Sequence, residues 1–334
     1  MKTPYMIDWA ITNKCNLDCC HCRRMEKEEL DGETIIKLAE AIPSLQPRWV
    51  IIEGGEPLLR EELLEIIKHL RQRNVKIYLI TNGMLFNEYF AQNFAKLKIN
   101  LMISIDSPEK EDYETIRSGA SFERLKEAVA MANKYKIFDS ALVTIGRYNY
   151  QQIDKIFQLA KEMGCPKITF LGLKPCRDYE RYFLKGEEYF DFFRSVIRNQ
   201  KEHQIDVYVD EPFFQPLLLE NGIEYSLNPE SGIVVPDVSR CIFGEYLFIE
   251  TNGDIKPCTF APLVVGNVRE KSIGAIWADM LSSELIEAIR DFSTRESPCR
   301  ECSYLLTCGG CRARSFYLTR DWFASDPSCP LKRR

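Results

Sequence analysis

Short apolar runs alternate with longer amphipathic stretches from Met6 to about Gln204. The runs at 6–12, 49–53, 76–81, 100–105, 140–145 and 168–173 have the length and β-branched content of strands covered on both faces. Between them, residues 33–42, 61–73, 88–97, 122–135 and 150–163 repeat apolar positions at helical spacing. Gly164 directly after Met163 reads as a helix stop. Six β-then-α units predict a parallel sheet with right-handed crossovers, either an open partial barrel or a doubly wound sheet. In both, ligands gather at the carboxyl ends of the strands.

That rule orders the polar segments. Cys15, Cys19 and Cys22 follow the first strand, and Gly54-Gly55-Glu56-Pro57 follows the second. Thr81-Asn82-Gly83 follows the third, and Ser104-Ile105-Asp106-Ser107 ends the fourth. All four are expected at one mouth. After about Ile205 the alternation stops, and residues 206–236 hold four of the 16 prolines. Two strands, 246–250 and 254–258, then flank Thr251-Asn252-Gly253, where Asn-Gly suits a type I′ hairpin turn. The expected organisation is residues 1–204 as a β/α domain, 205–240 as a bridge, and 241–334 as a small cysteine-rich domain.

Composition narrows the chemistry. The 334 residues are 45% hydrophobic and 28% charged, with a net charge of −5, so no nucleic-acid or anionic-membrane surface is expected. No apolar run has the length of a membrane span, and no signal peptide is evident, so a cytoplasmic location is expected. In that reducing compartment 13 cysteines argue for metal rather than disulfides. His21, His69 and His203 are the only histidines, too few for a His-rich metal site.

Three thiolates spaced C-x-x-x-C-x-x-C can hold three corners of a [4Fe–4S] cubane and leave the fourth iron open. Spacing alone leaves a ferredoxin fragment or a zinc site with a distant ligand open. Joined to the β/α pattern and to Gly-Gly-Glu-Pro, the segment resembles the radical S-adenosylmethionine superfamily. The resemblance implies a partial (β/α)6 TIM-like barrel. It implies that S-adenosylmethionine chelates the open iron and is cleaved reductively to a 5′-deoxyadenosyl radical. Gly54, Gly55 and Glu56 would then approach the methionyl amine, Ser104 and Asp106 the ribose, and His21 the adenine. Asn82 and Arg117 join them as cofactor-binding candidates, although Thr-Asn-Gly also makes an ordinary turn and a surface helix Arg is an alternative for Arg117. No catalytic side chain is assigned. Cys20 and Cys165 read as structural.

The last third carries Cys241, Cys258, Cys299, Cys302, Cys308, Cys311 and Cys329, together with Cys308-Gly309-Gly310-Cys311-Arg312-Ala313-Arg314. This set resembles the SPASM domain, which houses two auxiliary [4Fe–4S] clusters. Family analogy gives Cys299, Cys302, Cys308 and Cys329 to a distal cluster and Cys241, Cys258 and Cys311 to a proximal one. The proximal fourth position would be open, bound by an oxygen such as that of Asp237, or filled by Cys176. A zinc ribbon is the alternative for Cys299, Cys302, Cys308 and Cys311. The resemblance thus implies three clusters, S-adenosylmethionine, and a reductant such as ferredoxin or flavodoxin. It implies oxidative modification (decarboxylation, side-chain loss or crosslinking) of a cofactor precursor such as a tetrapyrrole, or of a peptide. With strand one at the amino terminus, the expectation is that a partner supplies any leader-binding function or that the substrate is small. The competing class is a non-catalytic iron–sulfur electron carrier.

Overall fold

A computed structural model describes residues 2–23, 28–176, 179–223, 233–234 and 240–333. Asp237 lies outside the described residues. Eleven strands form one sheet. In chain order they are β1 (Ile7–Ala10), β2 (Trp49–Glu53), β3 (Lys76–Thr81), β4 (Asn100–Ser104), β5 (Phe138–Ile145), β6 (Lys167–Gly172), β7 (Asp206–Asp210), β8 (Ile233–Val234), β9 (Leu247–Ile249), β10 (Asp254–Lys256) and β11 (Gly266–Asn267). Their order across the sheet is β8-β7-β6-β5-β4-β3-β2-β1-β9-β10-β11.

Strands one to seven are neighbours in sequence order and all parallel. A doubly wound sheet needs a point where strand order reverses, so this order selects the singly wound, open-barrel alternative. Curvature is visible in the charges. Asp8 on β1 feels the charge of Asp210 on β7, six strand positions away. A flat sheet would separate them by roughly 29 Å, so the sheet must curl to bring them together.

The five expected helices form within two residues of their predicted starts, apart from the fifth. There Tyr150–Gln152 is a 3₁₀ turn leading into Ile153–Glu162. Caps explain the starts: the side chains of Asp31, Asn87 and Ser121 each accept from a backbone N–H three residues on. Gly164 takes a positive φ of 66°, the left-handed stop its position predicted. Burial alternates along β2 and β3 and is nearly continuous along β1 and β4. Val50 and Ile52, Ile77 and Leu79, and Leu101 and Ile103 are fully buried against the helices.

Three findings depart from the sequence reading. First, the alternation does not end at Ile205: helix Glu187–His203 leads into β7, which pairs with β6 in parallel. The Asp-Val-Tyr-Val-Asp alternation of β7 buries Val207 and Val209 and explains the added strand. Second, the hairpin turn is not type I′. Glu250 accepts from Gly253 N and donates from its own N to Asp254 O, and within the turn Gly253 alone has a positive φ, 89°. This is a three-residue loop, a type I turn closed by a left-handed glycine. Third, β9 adds in parallel to the free edge of β1, with Asp8 opposite Phe248. The cysteine-rich third therefore continues the barrel sheet.

A buried ionic cluster fastens this third to the end of β7. Arg314 is fully buried. Its Nη2 donates to Glu211 Oε1 and to Asp326 Oδ2, both at 2.7 Å, and its Nη1 donates to Tyr189 OH at 3.0 Å. Lys174 Nζ reaches Glu211 Oε2 at 3.1 Å. Among the described residues no helix is long and apolar enough to cross a membrane.

Removing Arg314 leaves Asp326 buried without its counter-charge and leaves Glu211 with Lys174 alone. Arg314→Met is expected to destabilise the fold by about 3–5 kcal/mol, read as a lower denaturation midpoint. A loss within experimental scatter would show that the cluster contributes nothing net.

Candidate active site

Carboxyl ends of β1 to β4 meet at one mouth, and the backbone draws them together. Gly55 N donates to Thr12 O at 2.7 Å and Glu56 N to Lys14 O at 2.8 Å. A Cβ on Gly54 would stand 2.4 Å from Thr12 O, and one on Gly55 2.2 Å from Lys14 O. The glycine pair is thus required by contact with the base of the cysteine loop itself, whatever else approaches it.

Glu56 is fully buried. Its Oε1 accepts from Thr81 Oγ1 at 2.8 Å and from Leu58 N at 3.2 Å, and its Oε2 accepts from Asn82 N at 2.8 Å. The side chain therefore ties the β2 loop to the end of β3. Burial pushes its pKa up to about 7 against these hydrogen bonds. Asn82 continues the chain of contacts: its Nδ2 donates to Asn16 Oδ1 at 2.9 Å, inside the cysteine loop.

Arg117 is buried, which removes the surface-helix alternative. Its Nη2 lies 2.7 Å from Asp106 Oδ2, and its Nη1 lies 3.7 Å from Cys19 Sγ. Backbone pairing of Asp18 and Cys19 with Ser118 and Arg117 sets that approach. Burial works against the guanidinium charge, but Asp106 and Cys19 outweigh it and raise its pKa. The Cys19 thiol is pushed up to about 11 by burial, with Arg117 pulling it down and the neighbouring Cys22 and Cys15 raising it.

Asp106 has no exposed surface, and its Oδ1 accepts from Thr144 N at 2.7 Å. His21 Nε2 lies 3.4 Å from Asp106 Oδ2, and its ring stacks on Tyr148 with centroids 5.7 Å apart. Burial lowers the His21 pKa to about 4, so the ring is neutral near pH 7. Ser104 is buried at the end of β4.

Sequence reasoning missed three residues that fix the loop. Glu29 Oε1 accepts from Thr12 Oγ1 at 2.8 Å and from Asn13 N at 2.6 Å. Arg23, next to Cys22, donates to Glu53 Oε1 at 2.8 Å and stands 4.5 Å over the Phe248 ring. Tyr148 supplies the His21 stack. Arg23 and Glu29 follow the loop closely and Tyr148 lies far from it, and nothing in local spacing marks any of the three.

The second thiol set lies on the β9-β10 side. Cys299, Cys302, Cys308 and Cys329 line one recess with ≈ 310 Å³ of atom-free space, part of it open to solvent. Cys241, Cys258 and Cys311 do not line it; the Cys241 thiol acts electrostatically on both Cys258 and Cys311. Burial pushes Cys311 up to about 12, and Arg314 and Lys174 oppose it. Cys176 packs against Leu173 and Phe183. Among the described residues no three His, Cys, Asp or Glu side chains close on one point as the ligands of a single ion do. Soft sulfur donors spread around a recess fit a multi-iron cluster better than a lone zinc.

A cysteine loop closing the first strand of an open parallel barrel, with a glycine-rich loop laid across it, defines a class. Residues 9–160 match the radical SAM superfamily and residues 241–303 match the SPASM iron–sulfur cluster-binding domain. The chain carries a radical SAM domain and a SPASM domain, which imply [4Fe–4S] clusters and S-adenosylmethionine. It is 27% identical over 342 residues to an AdoMet-dependent heme synthase of Methanosarcina barkeri, covering 98% of this chain and 97% of that one. To the PqqA peptide cyclase of Granulibacter bethesdensis it is 24% identical, covering 99% and 88%. Its fold matches SuiB of Streptococcus suis bound to S-adenosylmethionine, with a TM-score of 0.79 at 18% identity over 99% of this chain and 78% of that one. SuiB has also been solved with its precursor peptide SuiA.

Two outcomes test this geometry. In Gly55→Ala the new methyl meets backbone that no rotamer can move, so a lower unfolding midpoint and new proteolysis near Lys14 are expected. An unchanged midpoint and cleavage pattern would show that the loop has slack. For Glu56, the native chain keeps a proton that the unfolded chain releases between about pH 4.5 and pH 7, so stability falls as pH rises through that window and levels off above it. In Glu56→Gln the stability difference between about pH 5 and about pH 8 is expected to shrink; an equal difference would mean the carboxyl is ionised throughout.

Proposed function

We propose that Cys15, Cys19 and Cys22 hold the cluster that binds S-adenosylmethionine. On the same reading, Cys299, Cys302, Cys308 and Cys329 hold a distal auxiliary cluster, and Cys241, Cys258 and Cys311 a proximal one whose fourth position is open or oxygen-bound. The barrel lumen between them takes the substrate. One observation carries this reading: β1 delivers the first thiol loop, and the strand paired to its edge, β9, opens the hairpin that ends at Cys258. Both thiol sets therefore border one lumen.

When bound at Cys15, Cys19 and Cys22, the cluster with S-adenosylmethionine would supply one-electron reductive cleavage of the sulfonium and removal of hydrogen from substrate. The chain's own residues bind, orient and insulate. Arg117 offsets negative charge at Cys19 while Asp106 holds it in place. Backbone at Gly54 and Gly55 presents polar groups to the methionyl end, and Glu56 fixes that loop from behind. His21, neutral and stacked, covers the adenine, with Ser104 and Asp106 on the ribose side and Asn82 bracing the loop. A low-potential donor such as ferredoxin or flavodoxin supplies the electron.

The favoured reaction is oxidative modification of a cofactor precursor such as a tetrapyrrole, supported by the heme synthase relative that spans nearly the whole chain. Peptide modification is the second reading, and one observation favours it. Arg23 is already paired with Glu53 at 2.8 Å and Glu250 at 3.3 Å, and Lys256 with Glu250 at 2.6 Å. Neither cation is uncommitted for the carboxylates of a tetrapyrrole.

The reconstituted protein is expected to hold about 12 iron atoms, from three four-iron clusters. Reduced anaerobically with S-adenosylmethionine, it is expected to release 5′-deoxyadenosine. Cys19→Ala abolishes that release, whereas Cys302→Ala spares it better than substrate turnover. Intact clusters with no 5′-deoxyadenosine from the parent protein would leave an electron carrier as the answer.

A further inference from the structure

Arg295 and Arg312 are fully buried, yet among the described residues the hydrogen bonds of neither go to a carboxylate. Arg295 donates to the carbonyls of Gly309, Asp291 and Ile289 and to the Thr294 hydroxyl. Arg312 donates from Nη1 to Trp322 O at 2.8 Å and Ala324 O at 2.9 Å, and from Nε to Gly310 O at 3.4 Å. Its Nη2 is buried and has no hydrogen-bond partner among the described residues. That nitrogen would stand 2.7 Å from a Cβ on Gly310, so the glycine makes room for the guanidinium.

Position gives these cations meaning. They grip the two carbonyls of the Gly309-Gly310 turn, which joins Cys308 of the distal set to Cys311 of the proximal set. Gly309 and Gly310 both line the thiol recess. The thiols of Cys241 and Cys299, one from each set, act on Arg295. Burial and the nearby Arg312 together lower the Arg295 pKa to about 10. Two adjoining buried guanidiniums are costly unless an anion offsets them. An unused N–H donor beside the turn needs an acceptor.

We propose that Arg312, backed by Arg295, is the hydrogen-bond donor and counter-charge that sets the reduction potential of the auxiliary clusters, with Nη2 donating to a cluster sulfur at the Cys308-Gly309-Gly310-Cys311 turn. This rests on the assignment of auxiliary clusters to the C-terminal thiols. The reduced cluster carries one more negative charge than the oxidised one, so a cation and an N–H donor at sulfur favour it and raise the potential. Arg312 is a positioning and tuning residue; it touches no substrate.

The test is an EPR-monitored potentiometric titration of the reconstituted holoprotein with dithionite. Arg312→Met is expected to lower the auxiliary midpoints, Arg312→Lys to lower them less, and both to leave the midpoint of the amino-terminal cluster unchanged. Full iron content with unmoved auxiliary midpoints overturns the proposal. A second measurement covers variants that fail to fold or lose iron: the parent holoprotein labelled with ¹⁵N-arginine should show ¹⁵N hyperfine coupling on the reduced auxiliary signals, and its absence overturns the proposal equally. An iron content near four per chain in the parent protein would instead sink the cluster assignment beneath it.

Discussion

Two oppositely charged side chains buried from solvent hold the two halves of this chain in register. Arg314 sits in a helix of the cysteine-rich third, and Glu211 follows the last long strand of the barrel. Neither tolerates burial alone. Asp326, Lys174 and Tyr189 complete the set, and Asp326 also accepts from Cys311 N at 2.9 Å. One ionic cluster thereby fixes the end of the barrel sheet, the backbone at a proposed ligand cysteine, and the final loop. The orientation of the second thiol set against the lumen follows from it.

At the other end of the lumen the constraint is steric. The cysteine loop is packed against the Gly54-Gly55 backbone so closely that no side chain fits between them. Glu56, Asn82 and Asn16 extend the contact to β3, and Asp106 with Arg117 extends it to β4 and β5. Most polar groups that face this mouth are therefore already bonded to each other. These mutual bonds fix the geometry of the mouth, and fixed geometry limits side reactions.

Much of this was legible in the sequence. Buried parallel strands are short and apolar throughout, so the six runs stood out with their boundaries nearly right. The cysteine spacings and Gly-Gly-Glu-Pro are local signals, and they pointed to the mouth that the fold assembles. Long-range partnership was hidden. β7 is flanked by acidic residues and followed by prolines, so its two buried valines were masked by composition. The pairing of β9 with β1 joins residues some 240 positions apart, and no local pattern announces it. The same holds for Arg117: its helix looks like a surface helix until the fold turns its end onto Cys19. The glycine pair was read as a close approach to the cofactor; the close approach that the structure shows is to the chain itself.

The position of β1 has a consequence for biosynthesis. Its two edges are filled by β2 and by β9. The first edge partner emerges from the ribosome early, and the second only after most of the polypeptide has been made. Until then the strand that leads into the amino-terminal thiols keeps one unpaired side, and such a side invites wrong pairing. The edge of the strand that leads into the amino-terminal thiols is therefore closed only once the carboxyl-terminal third has been made.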